Sequence, residues 1–348
     1  MRGTDYMRYT SQMIKRYGLI LGAIGIFAVL VFYIGCRSNS TEDNHLSVRL
    51  TWLHQAQFAG IYSAEDKGYY KDEGLDVTVN AGGIEYSSVK MVSAGSDDIG
   101  LTSADQVLLG RSKGAPLVAL AAMYQRSPVV LFSIKDAGID SPEKLRQKKI
   151  GIKYGDNTEV PVRALLDKYG IGKNDYSEVS VSYDVTPILE GRVDVLPGFS
   201  INEPLSLVEK GKQINQIYTA DFGVNFYADV IFTREEVLVK NKDLVEKFLR
   251  ATLKGYQYAI NHPDEAITSV LKRSPNANKA HERLMLEASS KLWKPTPEST
   301  FGAMDISNWQ AIQSYMLNTK LNDGKPLFEK PVDLAKVVNT EILQKASK

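Results

Sequence analysis

The chain has 348 residues, more than one small core holds and about right for two lobes. Its 43% hydrophobic and 24% charged residues are ordinary globular composition, and a net charge of +1 supplies no cationic excess to neutralise phosphates, which argues against nucleic-acid binding. The one cysteine, Cys36, excludes a disulfide framework and a thiolate metal site from the folded part.

At the start of the chain Arg8, Lys15 and Arg16 precede an uncharged, mostly apolar segment from Tyr17 to Gly35. The sequence then turns polar from Arg37 to Asn44. Residues 1–36 therefore predict a signal or anchor segment, and residues 37–45 a tether. Cys36, preceded by Gly35, ends the apolar run in a pattern similar to a bacterial lipobox, with Tyr33 where Leu or Val is usual. Two readings stay open: lipid attachment at Cys36, or an uncleaved helix of about the ~20 apolar residues that span a bilayer. Both place the chain from residue 46 onward on the extracytoplasmic side of the membrane.

The stretch from Leu50 to Val79 predicts a β-α-β unit. Val48, Leu50 and Trp52 read as a strand, His54, Gln55 and Gln57 as a polar turn, and Phe58, Ile61, Tyr62 and Ala64 recur at helical spacing before Gly68. Leu75, Val77 and Val79 alternate as a second strand. Such a unit is parallel and right-handed, and open α/β sheets bind ligands beyond the carboxyl ends of their strands. That edge carries Trp52, Gln55, Gln57, Phe58, Ala81, Gly82 and Gly83. Aromatic faces, amides and bare backbone describe a small-molecule cradle rather than a catalytic centre.

Further along, Ile84 to Ala94 predicts a helix closed by Gly95, and Ser96 to Leu101 a short strand. Ser103 then caps a helix through Arg111, with free N–H groups directed at the same edge. Pro116 to Met123 reads as a buried strand ending in Tyr124, and Pro128 to Ile134 as a strand crossing into another lobe. From Ser141 the scheme begins afresh: strand Lys149 to Lys153, loop Tyr154 to Thr158, helix Glu159 to Tyr169 and strand Glu178 to Ser182. Gly191-Arg192-Val193-Asp194-Val195 repeats the grammar of Gly95 to Ile99, as two lobes on one plan would. Leu196 to Pro204 and Asp221 to Thr233 are the candidate return crossings, and from Asp243 the pattern is largely helical.

The four histidines have no metal-ligand spacing, and neither a nucleophile elbow nor a phosphate-binding P-loop occurs. No catalytic residue, metal or cofactor is therefore assigned. His54 reads as a hydrogen-bonding turn residue. Glu203, Asp221 and Asp229 are embedded in apolar or aromatic sequence, where a ligand N–H could satisfy an otherwise costly carboxylate. Asp98 and Asp194, just before short strands, read as structural.

The ordered series from Trp52 through Gly60, Gly68-Tyr69-Tyr70, Glu73 to Val77, Asp98-Ile99-Gly100, Ser103 to Gln106, Gly191 to Asp194 and Asn202-Glu203-Pro204 resembles the thiamine-pyrimidine-precursor, riboflavin and alkylsulfonate binding-protein family, which includes a thiamine pyrimidine synthase. The resemblance implies an α/β, two-lobed type II periplasmic-binding-protein fold with two crossing strands. Lobe 1 is then 46–127 plus about 228–348, and lobe 2 is 128–227. It implies the substrate-binding component of an ABC importer, a monomer delivering a thiamine pyrimidine precursor or riboflavin to a permease. Trp52, Phe58 and Tyr124 would wall the ring; Gln57, Asn202, Glu203, Asp221 and Asn225 would read its edge; Ser103, Gly82 and Gly83 would complete the pocket. The alternative is the synthase, whose cysteine-rich metal motif is absent here and whose cofactor lysine has no match.

Overall fold

Alternation in the first strand decides which side the rest of the chain packs on. In β1 (His45–Arg49) Leu46 and Val48 are wholly buried while their neighbours face outward. The computed structural model describes residues 44–296, 300–320 and 325–347, so the expected anchor, most of the tether and Cys36 lie outside the described residues. From His45 the chain forms one compact unit. No helix among the described residues is long and apolar enough to cross a membrane.

The strands that follow are β2 (Asp76–Asn80), β3 (Ile99–Thr102), β4 (Leu117–Tyr124), β5 (Val129–Ile134), β6 (Lys149–Ile152), β7 (Ser177–Ser180), β8 (Leu196–Phe199), β9 (Ile214–Tyr218) and β10 (Ala228–Arg234). Parallel pairing joins β1 to both β2 and β3, as the β-α-β reading requires. The late strand β10 inserts antiparallel between β3 and β4, giving the order β2-β1-β3-β10-β4. A second group has β5 flanked antiparallel by β8 and β9, while β6 pairs with β7 and bridges, through Ile150, to Val195 just before β8.

The chain passes between the two groups at residues 125–128 and again at 219–227. The return thus overlaps the expected Asp221 to Thr233, beginning two residues earlier, and the rest of that segment is β10 itself. Leu196 to Pro204 does not cross: it forms β8 and then opens the helix Glu203–Glu209, with Pro204 in its first turn. The register of β8 against β5, Val129 opposite Phe199, holds that segment inside the second group.

The helix expected from Ile84 starts only at Ser88. Gly83, at φ +123°, lies in a region other residues rarely adopt, so residues 81–87 stay an open loop. The helix Ala59–Asp66 packs on the long helix Glu235–Asn261, and the approach is close because Gly60 has no side chain: a Cβ there would meet the Tyr256 ring at 2.3 Å. Asp98 and Asp194 are structural and do the same work in the two groups. Asp98 accepts from the backbone N–H of Ser47 at 2.9 Å and Asp194 from that of Lys149 at 2.7 Å, each pinning its group's leading strand.

Candidate ligand-binding site

A cleft lies between the two groups of strands, and its parts come from strand ends and the loops after them. From the first group come Thr51, Trp52, Gln55 and Gln57, beyond β1; from the second come Lys153, Asp156, Asn157 and Thr158, beyond β6, with Tyr183, Phe199, Asn202 and Glu203. These surround an inner cavity of about 140 Å³. An adjoining cavity of about 290 Å³ shares Thr51, Trp52, Asp156, Asn157 and Tyr183 and opens towards Gly83, Lys90 and Gln106.

The aromatic wall is a pair. The indole of Trp52 and the ring of Tyr183 stand 4.8 Å apart, tilted by 40°, one from each group of strands. Burial, then the nearby carboxylates of Asp156 and Glu203, push the Tyr183 phenol up to about 12, so it stays a neutral hydroxyl at physiological pH. Close by, Lys153 and Glu203 form an ion pair whose side chains are 4% and 12% exposed. Glu203 also accepts from the Phe199 N–H at 3.0 Å, and the Lys153 ammonium lies 5.3 Å from the centre of the Tyr183 ring. Gly198 makes room for this carboxylate, since a Cβ there would stand 2.8 Å from Glu203 Oε2.

The cleft loops are braced from behind. Asp156 accepts from Thr158 N–H and hydroxyl at 2.9 and 2.6 Å, closing the loop before the helix Glu159–Lys168. Arg163, 3% exposed, holds both Glu159 and Glu178. Glu159 takes the Gly155 N–H at 2.6 Å, and Glu178 takes the Tyr154 hydroxyl at 2.9 Å. His281 bridges Glu209 and Asn202 at 2.7 and 3.0 Å, linking the helix Lys279–Trp293 to the cleft. Glu282 accepts from Ala56 N–H at 2.6 Å and so fastens the turn that carries Gln55 and Gln57.

A family model described as NMT1/THI5 like matches residues 55–266. The chain belongs to the NMT1/THI5 like family. Over 324 residues it is 26% identical to a formylaminopyrimidine-binding protein of Halalkalibacterium halodurans, covering 89% of this chain and 95% of that one. It is 27% identical over 309 residues to the riboflavin-binding protein RibY of Chloroflexus aurantiacus, with 86% of each chain covered. Its fold matches that of the periplasmic aliphatic sulphonate binding protein SsuA of Escherichia coli with a TM-score of 0.68 at 13% identity, over 85% of this chain and 92% of that one. The fold is the α/β architecture of periplasmic solute-binding proteins.

In this family member the expected site residues part company. Trp52, Gln57, Asn202 and Glu203 line the inner cavity and Gly83 the adjoining one. Phe58 is wholly buried in the core beneath β1, because the turn Ala56–Phe58 points it inward. Tyr124 is equally buried: its hydroxyl bonds Ser289 at 3.0 Å and its ring meets Trp293, so it packs rather than walls a ligand. Gly82 holds the loop by donating to the Trp52 carbonyl at 2.9 Å, and Ser103 is buried at the start of the helix Ala104–Ser112; neither lines either of these two cavities. Asp221 and Asn225 belong to the return crossing. Asp221 pairs with Arg126 at 2.6 Å, and Asn225 accepts from Ser127 N–H at 2.8 Å, so these side chains tie the two crossings together.

Sequence reasoning missed Lys153, Asp156, Asn157 and Tyr183. For the first three a signal existed: Lys149 to Thr158 is a strand ending in a loop before a helix, the same arrangement that singled out Thr102 and Ser103. Tyr183 sits in an unpatterned polar stretch and had none.

Proposed function

We propose that this protein is the extracytoplasmic substrate-binding component of an ABC importer and that it captures a small heteroaromatic vitamin or vitamin precursor, a thiamine pyrimidine precursor or riboflavin. The observation that carries the reading is the Trp52–Tyr183 pair set beside the Lys153–Glu203 ion pair. Two opposed aromatic faces favour a flat ring; a carboxylate and an ammonium at its edge favour ring nitrogens and exocyclic donors. The relatives that bind formylaminopyrimidine and riboflavin support the same ligand class.

A ring held between two aromatic faces needs them about 7 Å apart, twice a contact of about 3.5 Å. Trp52 and Tyr183 stand at 4.8 Å, so binding includes their separation. The two lobes, 46–127 with about 228–348 and 128–227, would move about the crossings at residues 125–128 and 219–227. In the cell the protein acts as a monomer that docks on a permease, held to the membrane by a lipid on Cys36 or by an uncleaved N-terminal helix.

The test is calorimetry with a panel of aminopyrimidines, riboflavin and alkylsulfonates. Tight binding of a heteroaromatic, lost in Trp52→Ala and Glu203→Ala, is expected; indifference to every heteroaromatic refutes the assignment. The enzymatic alternative requires a cofactor lysine. Lys153 lies in the cleft but is committed to Glu203, and a purified protein carrying pyridoxal phosphate would reinstate that alternative.

A further inference from the structure

We propose that Asp229, buried outside the cleft, is a positioning residue for recognition: through Gln57 it orients the amide of Gln55 so that the cleft offers an acceptor, selecting a ring with an amino N–H at that edge over one with a carbonyl. This rests on the heteroaromatic reading above and names the feature of the ring that is read.

Asp229 lies in β10, 1% exposed, at φ +45°. A non-glycine residue in that region is strained, and such strain persists where the surroundings over-determine the conformation. Among the described residues no cation pairs with its carboxylate; the side-chain nitrogen of Gln57 donates to its two oxygens at 2.9 and 3.0 Å. With that one partner, burial pushes the carboxyl up to about 7.

An ionised carboxylate only accepts, so Gln57 must turn its NH₂ inward and its carbonyl towards the cleft. That carbonyl accepts from the side-chain nitrogen of Gln55 at 2.6 Å. Gln55 thereby commits one N–H of its amide to Gln57, and its own carbonyl oxygen is the acceptor offered to a ligand. Reversing Gln57 would set its carbonyl against the carboxylate and N–H against N–H, and reversing Gln55 alone would set carbonyl against carbonyl, so the order is dictated from the buried end. Gln55 and Gln57 line the inner cavity with Trp52, Asn202 and Glu203, where the edge of a stacked ring would lie.

The experiment compares binding of an aminopyrimidine and the matching pyrimidinone, which exchanges donor for acceptor, by calorimetry at a pH of about 8, where Asp229 is ionised. Wild type is expected to prefer the aminopyrimidine by about tenfold or more, the equivalent of one well-made hydrogen bond. Asp229→Asn keeps the shape and tolerates the left-handed backbone, but its amide accepts either orientation of Gln57; the preference should fall to within about threefold, with the pyrimidinone gaining. Gln55→Leu leaves Asp229 and Gln57 paired and removes the reading group, so it should flatten the preference too, and it decides the matter if Asp229→Asn does not fold. A preference unchanged in the folded variants overturns the relay while the transport reading stands. Failure of wild type to bind either probe overturns the relay, and the transport reading falls with it only if riboflavin and the rest of the heteroaromatic panel are also refused.

Discussion

Removing the Glu203 carboxylate should be costly out of proportion to its size. Lys153 is 4% exposed and Glu203 12%, so truncating Glu203 leaves an ammonium with neither counter-ion nor bulk water. Breaking a buried pair in this way typically costs about 3–5 kcal/mol. Glu203→Ala also orphans the Phe199 N–H, bonded at 3.0 Å, for a further ~1 kcal/mol. Glu203→Gln retains a neutral acceptor and the side chain's volume, so it should cost less than Glu203→Ala. The double variant Lys153→Met with Glu203→Leu removes both charges and should recover most of the loss. Asp221→Ala is the internal control: its pair with Arg126 is 54% and 37% exposed, and losing it should cost under ~1 kcal/mol and leave ligand affinity unchanged. Urea unfolding of the four variants gives these differences directly. If Glu203→Ala costs no more than Asp221→Ala, water reaches the pair, and its burial does not hold in solution.

Three further outcomes are expected. Trp52→Ala and Tyr183→Ala should each weaken binding of a heteroaromatic at least about tenfold in calorimetry, with little change in unfolding midpoint, because both rings are partly exposed and face the cleft. Gly198→Ala places a Cβ 2.8 Å from Glu203 Oε2, so it should destabilise by about 1–3 kcal/mol and weaken binding together, whereas affinity unchanged by it would mean that Glu203 is not held against β8. The Glu178 carboxyl is held down at about 2: burial opposes the shift, but Arg163 and the Tyr176 and Tyr154 hydroxyls outweigh it. A depressed folded value contributes stability that is complete above the ordinary value of 4.5 and lost as pH falls towards about 2. Melting curves between those limits should show that loss, and Glu178→Gln should lessen it.

Local pattern was enough for much of the fold. Period-two alternation around Val48 and Val77, helical spacing from Phe58, and the paired Gly-to-Asp segments ending at Asp98 and Asp194 depend on neighbours in the chain, and each reads directly. The turn after β1 was legible as an edge of the cleft for the same reason: Trp52, Gln55 and Gln57 follow a strand end, where the β-α-β geometry leaves side chains over the sheet's carboxyl edge.

Which aromatic faces the cleft was not legible, because Phe58 and Tyr124 differ from Trp52 and Tyr183 only in what packs over them, and that is supplied by helices more than a hundred residues away. The same holds for charge. Glu203 and Asp221 look alike in sequence, yet one meets a buried Lys153 and the other an exposed Arg126. Sequence alone thus determined the elements and the sheet edge that borders the cleft, since hydrophobic period and turn chemistry are local. Tertiary structure decided the site's second wall, its ion pair and the relay from Asp229, since each joins groups that only the packing of distant segments brings within bonding distance.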